Sequence, residues 1–435
     1  MSAGRLKTKL VLADQIVVSG ANFVVGLLVA RALGPAGYGQ FTLVSSIILF
    51  VLGVQVALID SPMMVLGAAL SDQRKPDYFP AVMVGQLLFC VASAVLLLLA
   101  APIISRFAPQ WGFDRVIWPA LFAMAGFLCQ DFYRRYFFVR DRAHVALSSD
   151  LACHGSKAAL LGAFALWWGL DAGEAFWIIA AASMVGVVVV FGFRSPAQRW
   201  RTPDAAAMRR ATRAHWDFGR WLLAESMASI CASQLVIYIT GRVISLSAVG
   251  AMAAAMHIVG ATNVLLLALE NLVPSRAAQI YANRGSAALN RYLLRVSLLS
   301  GAGTLAIVAV AVIGAELWLR LLYGAAYQGN GRLVLWWGVY YLIGAGQRPF
   351  TTGLRVLGYT RGMFYGTLGG ALVALALGYP ATRALGIDGA MLSLCLVQTA
   401  ILCILAFSYR AALRAANRAA QEGEVTLARM PDRTL

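Results

Sequence analysis

Three ionisable residues in one apolar stretch, Asp150, His154 and Lys157, stand at i, i+4 and i+7 and share one face of a helix. Lys157 falls about ten residues into that stretch, or about 15 Å deep at 1.5 Å per residue. A lysine at the centre of a membrane helix costs on the order of 2.5–3.5 kcal/mol on insertion scales, so its presence needs a reason. Two readings are open. The three residues could form a self-neutralising stripe that packs two helices, or a polar face that offers an ammonium to an oxyanion. His154 is either a pH-tuning member of that face or an ordinary hydrogen-bonded histidine. Arg348, beside Gln347 and before Pro349, is a second cation set deep in an apolar stretch. It either serves the same anion or snorkels to the interface. Asp14 and Glu225 stand near the starts of two other apolar stretches, where each could hold a proton or a cation or pair with a basic residue. Arg31 and Arg242 mark the far ends of those two stretches, as ordinary helix-end cations or as members of a charge pair.

The elements that position these groups follow from composition. Of 435 residues, 60% are hydrophobic and 13% charged, with a mean hydropathy of +0.73. A soluble domain carries about 25% charge. Apolar runs of 18 residues or more recur along the chain, each able to cross a hydrocarbon core of about 30 Å. Short alternating segments of the kind a barrel needs are absent. These features predict an all-α integral membrane protein of about twelve transmembrane helices. Residues 1–193 would form one six-helix lobe, 194–216 a basic linker, 217–408 a second lobe and 409–435 a tail. With both termini in the cytoplasm, 28 Lys and Arg fall on the cytoplasmic side and 7 on the outer side, with Lys157 inside a span. That asymmetry satisfies the positive-inside rule. The net charge of +17 therefore answers to anionic lipid, and no nucleic-acid partner is expected. The basic N-terminal arm is read as leading into a retained first span rather than a cleaved signal. The six cysteines lie in apolar spans without ligand spacing, and no metal or cofactor is expected. No nucleophile–base pair appears, so no enzymatic chemistry is expected either.

A repeat organises the layout. At an offset of 211 residues, Leu12–Leu58 aligns with Leu223–Leu269 without a gap and with nine identities, among them Arg31/Arg242 and Gly39/Gly250. Asp14 meets Glu225. Both halves begin on the same side, so the repeat is parallel, about an axis along the membrane normal.

The segment Ala30-Arg-Ala-Leu-Gly-Pro-Ala-Gly-Tyr-Gly-Gln-Phe-Thr-Leu43 resembles the first inter-helix segment of polysaccharide-type flippases of the multidrug/oligosaccharidyl-lipid/polysaccharide exporter superfamily. The twelve spans, basic central connection and two six-helix halves extend the resemblance over nearly the whole chain. It implies a V-shaped pair of lobes around a cavity in the cell inner membrane. It further implies a lipid-linked oligosaccharide as substrate, membrane lipids as surroundings, and a polysaccharide polymerase and other assembly proteins as partners. On that reading Lys157, Arg348, His154 and Gln347 meet the diphosphate, while Asp14, Glu225, Asp150, Arg31 and Arg242 couple a proton or sodium ion or gate the path. The alternatives are a cation-coupled drug exporter of the same superfamily and an integral-membrane polymerase or ligase. Gly34 and Pro35 are expected to stop the first helix, with Gly37 and Gly39 supplying turn chemistry.

Overall fold

Hydrocarbon offers no hydrogen bonds, so a chain this apolar must pair its backbone within each segment, and helices do so. The computed structural model describes residues 2–71, 73–192 and 202–428, without the side chains of 2–19, 264–265, 267–272 and 419–428. Every element among the described residues is helical: α1 (Ser2–Gln55), a π-turn (Val56–Asp60), α2 (Ser61–Ala69), α3 (Lys75–Phe107), α4 (Phe113–Val139), α5 (Ala143–Trp167) and α6 (Ala172–Gly192). Then follow α7 (Ala205–Val243), α8 (Leu246–Val259), α9 (Thr262–Ile313), α10 (Ala315–Trp318), α11 (Gly331–Val356) and α12 (Arg361–Ala428). Seven stretches among the described residues are long and apolar enough to cross a membrane. The protein is a multi-pass helical membrane protein.

Three of the long helices are broken at one glycine each. Gly34 takes φ 66° and ψ 179° in α1, Gly285 takes φ 72° in α9, and Gly386 takes φ 61° in α12. Positive φ costs glycine little, and Pro35 next to Gly34 has no N–H with which to continue the ladder. The connections expected from sequence therefore shrink to single-residue breaks. The basic stretch 194–216 also differs from expectation. Residues 194–201 lie outside the described residues, but α7 already begins at Ala205. Its start is capped by Asp204, whose side chain accepts from Ala207 N at 2.6 Å.

The chain divides into two compact units. Unit 1 comprises residues 1–227, 240–254 and 322–327, and unit 2 comprises 228–239, 255–321 and 328–435. In unit 1, one core gathers Phe113, Met124, Leu128 and Phe176, and a second gathers Met63, Phe79, Phe132 and Tyr136. Small residues let α4, α5 and α6 pack closely. A Cβ on Gly186 would stand 2.9 Å from Cys153 Cβ, and one on Gly126 would stand 3.0 Å from Ser183 Cβ. Unit 2 builds its core from Leu289, Leu293, Leu354, Leu405 and Tyr409.

Candidate functional site

The buried face of α5 carries Ser149, Asp150, Cys153, His154 and Lys157, so the i, i+4, i+7 stripe does point inward. Asp150 is fully buried, His154 is 5% exposed and Lys157 is 4% exposed. Gln130 of α4 donates to Asp150 Oδ1, and Arg134 Nε lies 3.9 Å from Asp150 Oδ2. Lys157 Nζ sits 5.9 Å from the centre of the Phe127 ring, also on α4. Among the described residues Lys157 has no hydrogen bond or ion pair. His154 Nδ1 is buried without a hydrogen-bond partner.

This stripe continues into a larger cluster in unit 1. Asp131 accepts from Arg134 at 2.7 Å and from Arg135 at 2.8 Å, the i+3 and i+4 spacings of one helix surface. Arg135 reaches on to Asp60 Oδ2 at 3.6 Å. Asp60 closes the π-turn, is fully buried, and accepts from Gln55 Nε2 at 3.1 Å. Gln86 of α3 donates to Gln55 Oε1 at 2.8 Å and locks that amide. Asp60 Oδ1 has no hydrogen-bond partner. The cluster thus sets three carboxylates (Asp60, Asp131, Asp150) against three cations (Arg134, Arg135, Lys157). Among the described residues its open valences include Asp60 Oδ1, Gln86 Oε1, His154 Nδ1 and the ammonium of Lys157. A cluster of this kind can hold a proton or cation on a carboxylate, or present an ammonium to an oxyanion.

Asp131 ties the cluster together. Asp131→Asn leaves two guanidiniums, at most a quarter exposed, without their shared carboxylate. A loss of about 3 kcal/mol is expected, read as a lower unfolding midpoint in detergent. Arg332→Gln breaks the exposed Arg332–Asp388 pair at 3.0 Å in unit 2 and should cost under about 1 kcal/mol in the same measurement.

The other residues singled out from sequence fall elsewhere. Arg348 is half-buried in unit 2. Its neighbour Gln347 donates to the carbonyl of Gln398 at 2.9 Å and to Gln398 Oε1 at 2.6 Å. Glu225 is half-buried on α7, with no hydrogen bond or ion pair among the described residues. The side chain of Asp14 lies outside the described residues. Arg31 and Arg242 are exposed, and Gln110 Nε2 donates to the carbonyl of Arg242 at 2.9 Å.

Gly39, expected to supply turn chemistry, instead meets its repeat equivalent Gly250. A Cβ on Gly39 would overlap the carbonyl oxygen of Leu246 and stand 3.1 Å from Gly250 N. A Cβ on Gly250 would overlap the carbonyl oxygen of Pro35 and stand 3.0 Å from Gly39 N. Gly39/Gly250 and Pro35/Leu246 are both pairs at the 211-residue offset, so the crossing is made of equivalents packed on each other. The segment 322–327 fastens beside it. Tyr327, fully buried, donates its hydroxyl to the carbonyl of Ala30 at 2.8 Å and packs on Tyr323 with ring centres 5.6 Å apart.

No family model matches the chain. No curated protein matches it in sequence. Solved structures do match in fold. A multidrug resistance MATE family transporter of the MOP superfamily, in an inward-facing conformation, aligns with a TM-score of 0.72 at 15% identity, over 93% of this chain and 96% of its own. The lipid II flippase MurJ, in an inward closed conformation, aligns with a TM-score of 0.67 at 10% identity, over 93% and 87%. A MOP superfamily transporter from Pyrococcus furiosus, whose reversed binding-pocket polarity suggests a different function, aligns at 0.64 and 14% identity, over 95% and 96%. The chain has the MATE/MOP transporter fold.

Proposed function

We propose that this protein is a flippase that carries undecaprenyl-diphosphate-linked oligosaccharides from the cytoplasmic to the outer leaflet of the inner membrane. It works by alternating access and serves surface polysaccharide assembly. The observation that carries this reading is Lys157, a buried ammonium with no carboxylate partner among the described residues, in a fold shared with a lipid II flippase. A diphosphate needs cations along a polar path, while its lipid tail stays in hydrocarbon. Lys157, with His154 beside it, supplies such a charge, and Arg348, with Gln347 beside it, is a further candidate cation. Asp150, Asp14 and Glu225 are the carboxylates able to carry a coupling proton or sodium ion. Arg31 and Arg242 stand beside the Gly39–Gly250 crossing, where the path to the outer leaflet would close. On this reading the chain enters and leaves the membrane from the cytoplasmic side, which the arginine and lysine distribution supports.

A second reading, cation-coupled drug export, has one specific support: the unsatisfied Oδ1 of the buried Asp60. Asp60 lies within a cluster that already holds as many cations as carboxylates, so the cluster offers no surplus negative charge to a cationic drug.

The deciding measurement is reconstitution. Purified protein in vesicles is given a fluorescent undecaprenyl-diphosphate oligosaccharide, and a membrane-impermeant reagent reports which leaflet holds it. The internal pool should become accessible within minutes, and should stay occluded in protein-free vesicles. Equal occlusion in both, together with gradient-driven ethidium uptake by the protein-containing vesicles, would establish the drug-export reading instead.

A further inference from the structure

The first part of α7 carries two stripes. Met208, Ala211, Thr212, His215 and Trp216 recur at helical spacing and form one wall of a crevice in unit 1. Leu58 and Ile59 of the π-turn and one face of α3, including Gly85, form the rest. The crevice has a volume of about 380 Å³, within the range of roughly 300–1,000 Å³ that small-ligand pockets occupy. Its lining is almost wholly apolar, and the one ring nitrogen pair in it is engaged. His215 Nδ1 bonds the carbonyl of Leu58 at 3.0 Å, and Nε2 bonds the Tyr78 hydroxyl at 2.8 Å. Water has little to bind there. Leu88 and Trp216, which line the crevice, are 60% and 52% exposed, so its mouth is bordered by apolar surface.

The second stripe flanks this wall. At 100° per residue, Arg209, Arg213 and Arg220 fall within an arc of about 40°, next to Trp216. All three are exposed, and none has an acidic partner among the described residues. An amphipathic helix with arginines along one edge and a tryptophan at the boundary lies where headgroup meets acyl chain. Basic positions of this kind recognise anionic lipid.

We propose that the crevice holds one acyl chain of an anionic phospholipid, with its phosphate on Arg209 and Arg213. The chain lies against Leu58 and Ile59, in the same π-turn that ends at Asp60. The bound lipid therefore braces the turn that presents Asp60 to the charged cluster. This makes it an effector site, independent of what the protein transports.

Native mass spectrometry of the full-length protein, with equal amounts of phosphatidylglycerol and phosphatidylcholine, tests this. One phosphatidylglycerol should be retained at least about tenfold over phosphatidylcholine, or about 1.4 kcal/mol. A Cβ on Gly85 meets nothing within 4 Å, so Gly85→Phe fills the crevice without a clash at its root and should abolish retention. Arg209→Glu with Arg213→Glu should remove the preference for phosphatidylglycerol. Should Gly85→Phe not fold, the wild type still decides. Phosphatidylglycerol brominated on its chains should quench the Trp216 signal, taken as the difference from Trp216→Phe, and saturate at one lipid per protein. Equal retention of the two lipids, unselective quenching, or displacement of phosphatidylglycerol by an equal amount of polyprenyl phosphate would overturn the proposal.

Discussion

Gly39→Leu should reduce transport at least tenfold while the protein still inserts and folds, and Gly250→Leu should do the same. At each position the new Cβ meets a backbone carbonyl of the facing helix rather than the end of a flexible side chain, so no rotamer change relieves it. Overpacking costs about 1–3 kcal/mol where neighbours can yield, and more where they cannot. A penalty of that size falls only on states in which the two helices touch. If transport alternates between separation and return of this crossing, the closed state is depopulated by about tenfold for each 1.4 kcal/mol. The equivalence of the two glycines makes the prediction strict, because each substitution invades the same contact from opposite sides. A cysteine placed at Leu246 should also become more reactive to a water-soluble reagent in the Gly39→Leu protein. Gly162→Leu is the control, since a Cβ there meets nothing within 4 Å. Wild-type transport by both leucine variants would show that these helices need not meet in the cycle.

Much of this crossing was legible in the sequence, but its meaning was not. The 211-residue offset paired Gly39 with Gly250 and Pro35 with Leu246. A glycine in a sequence announces a missing side chain, not what stands opposite. Gly34, with φ 66°, is a true break, whereas Gly39 is helical and serves close approach. The charged cluster was half legible for a similar reason. Periodicity placed Asp150, His154 and Lys157 on one face, and the structure buries all three. Arg134 and Arg135, near the end of α4, both turn back to Asp131. The i+3 and i+4 spacing from Asp131 was the available signal. Asp60 could not be placed by counting, since the π-turn Val56–Asp60 shifts the helical register just before it. The start of α7 was hidden by composition: six arginines between 194 and 213 suggested a linker and masked the capping aspartate at 204.

Lys157→Met should make the protein more stable and abolish transport. The two effects come from one cause. A lysine deep in a membrane helix carries a penalty of order 2.5–3.5 kcal/mol that a carboxylate would ordinarily offset. Asp150, on the same face, is already engaged by Gln130 and faced by Arg134, and Lys157 is left against the Phe127 ring. Methionine keeps the length of the side chain and removes the charge, so about 1–3 kcal/mol should return to the folded state, read as a higher unfolding midpoint in detergent. Stability given up at a polar position inside an apolar bundle is the mark of a group kept for function. Lys157→Arg keeps the charge in a bulkier form and should retain part of the transport, with no gain in stability. A stabilised Lys157→Met protein with normal transport would remove the ammonium from the mechanism. A destabilised one would show that Lys157 is a structural tie of the cluster, and the diphosphate would then have to be met by Arg348 alone.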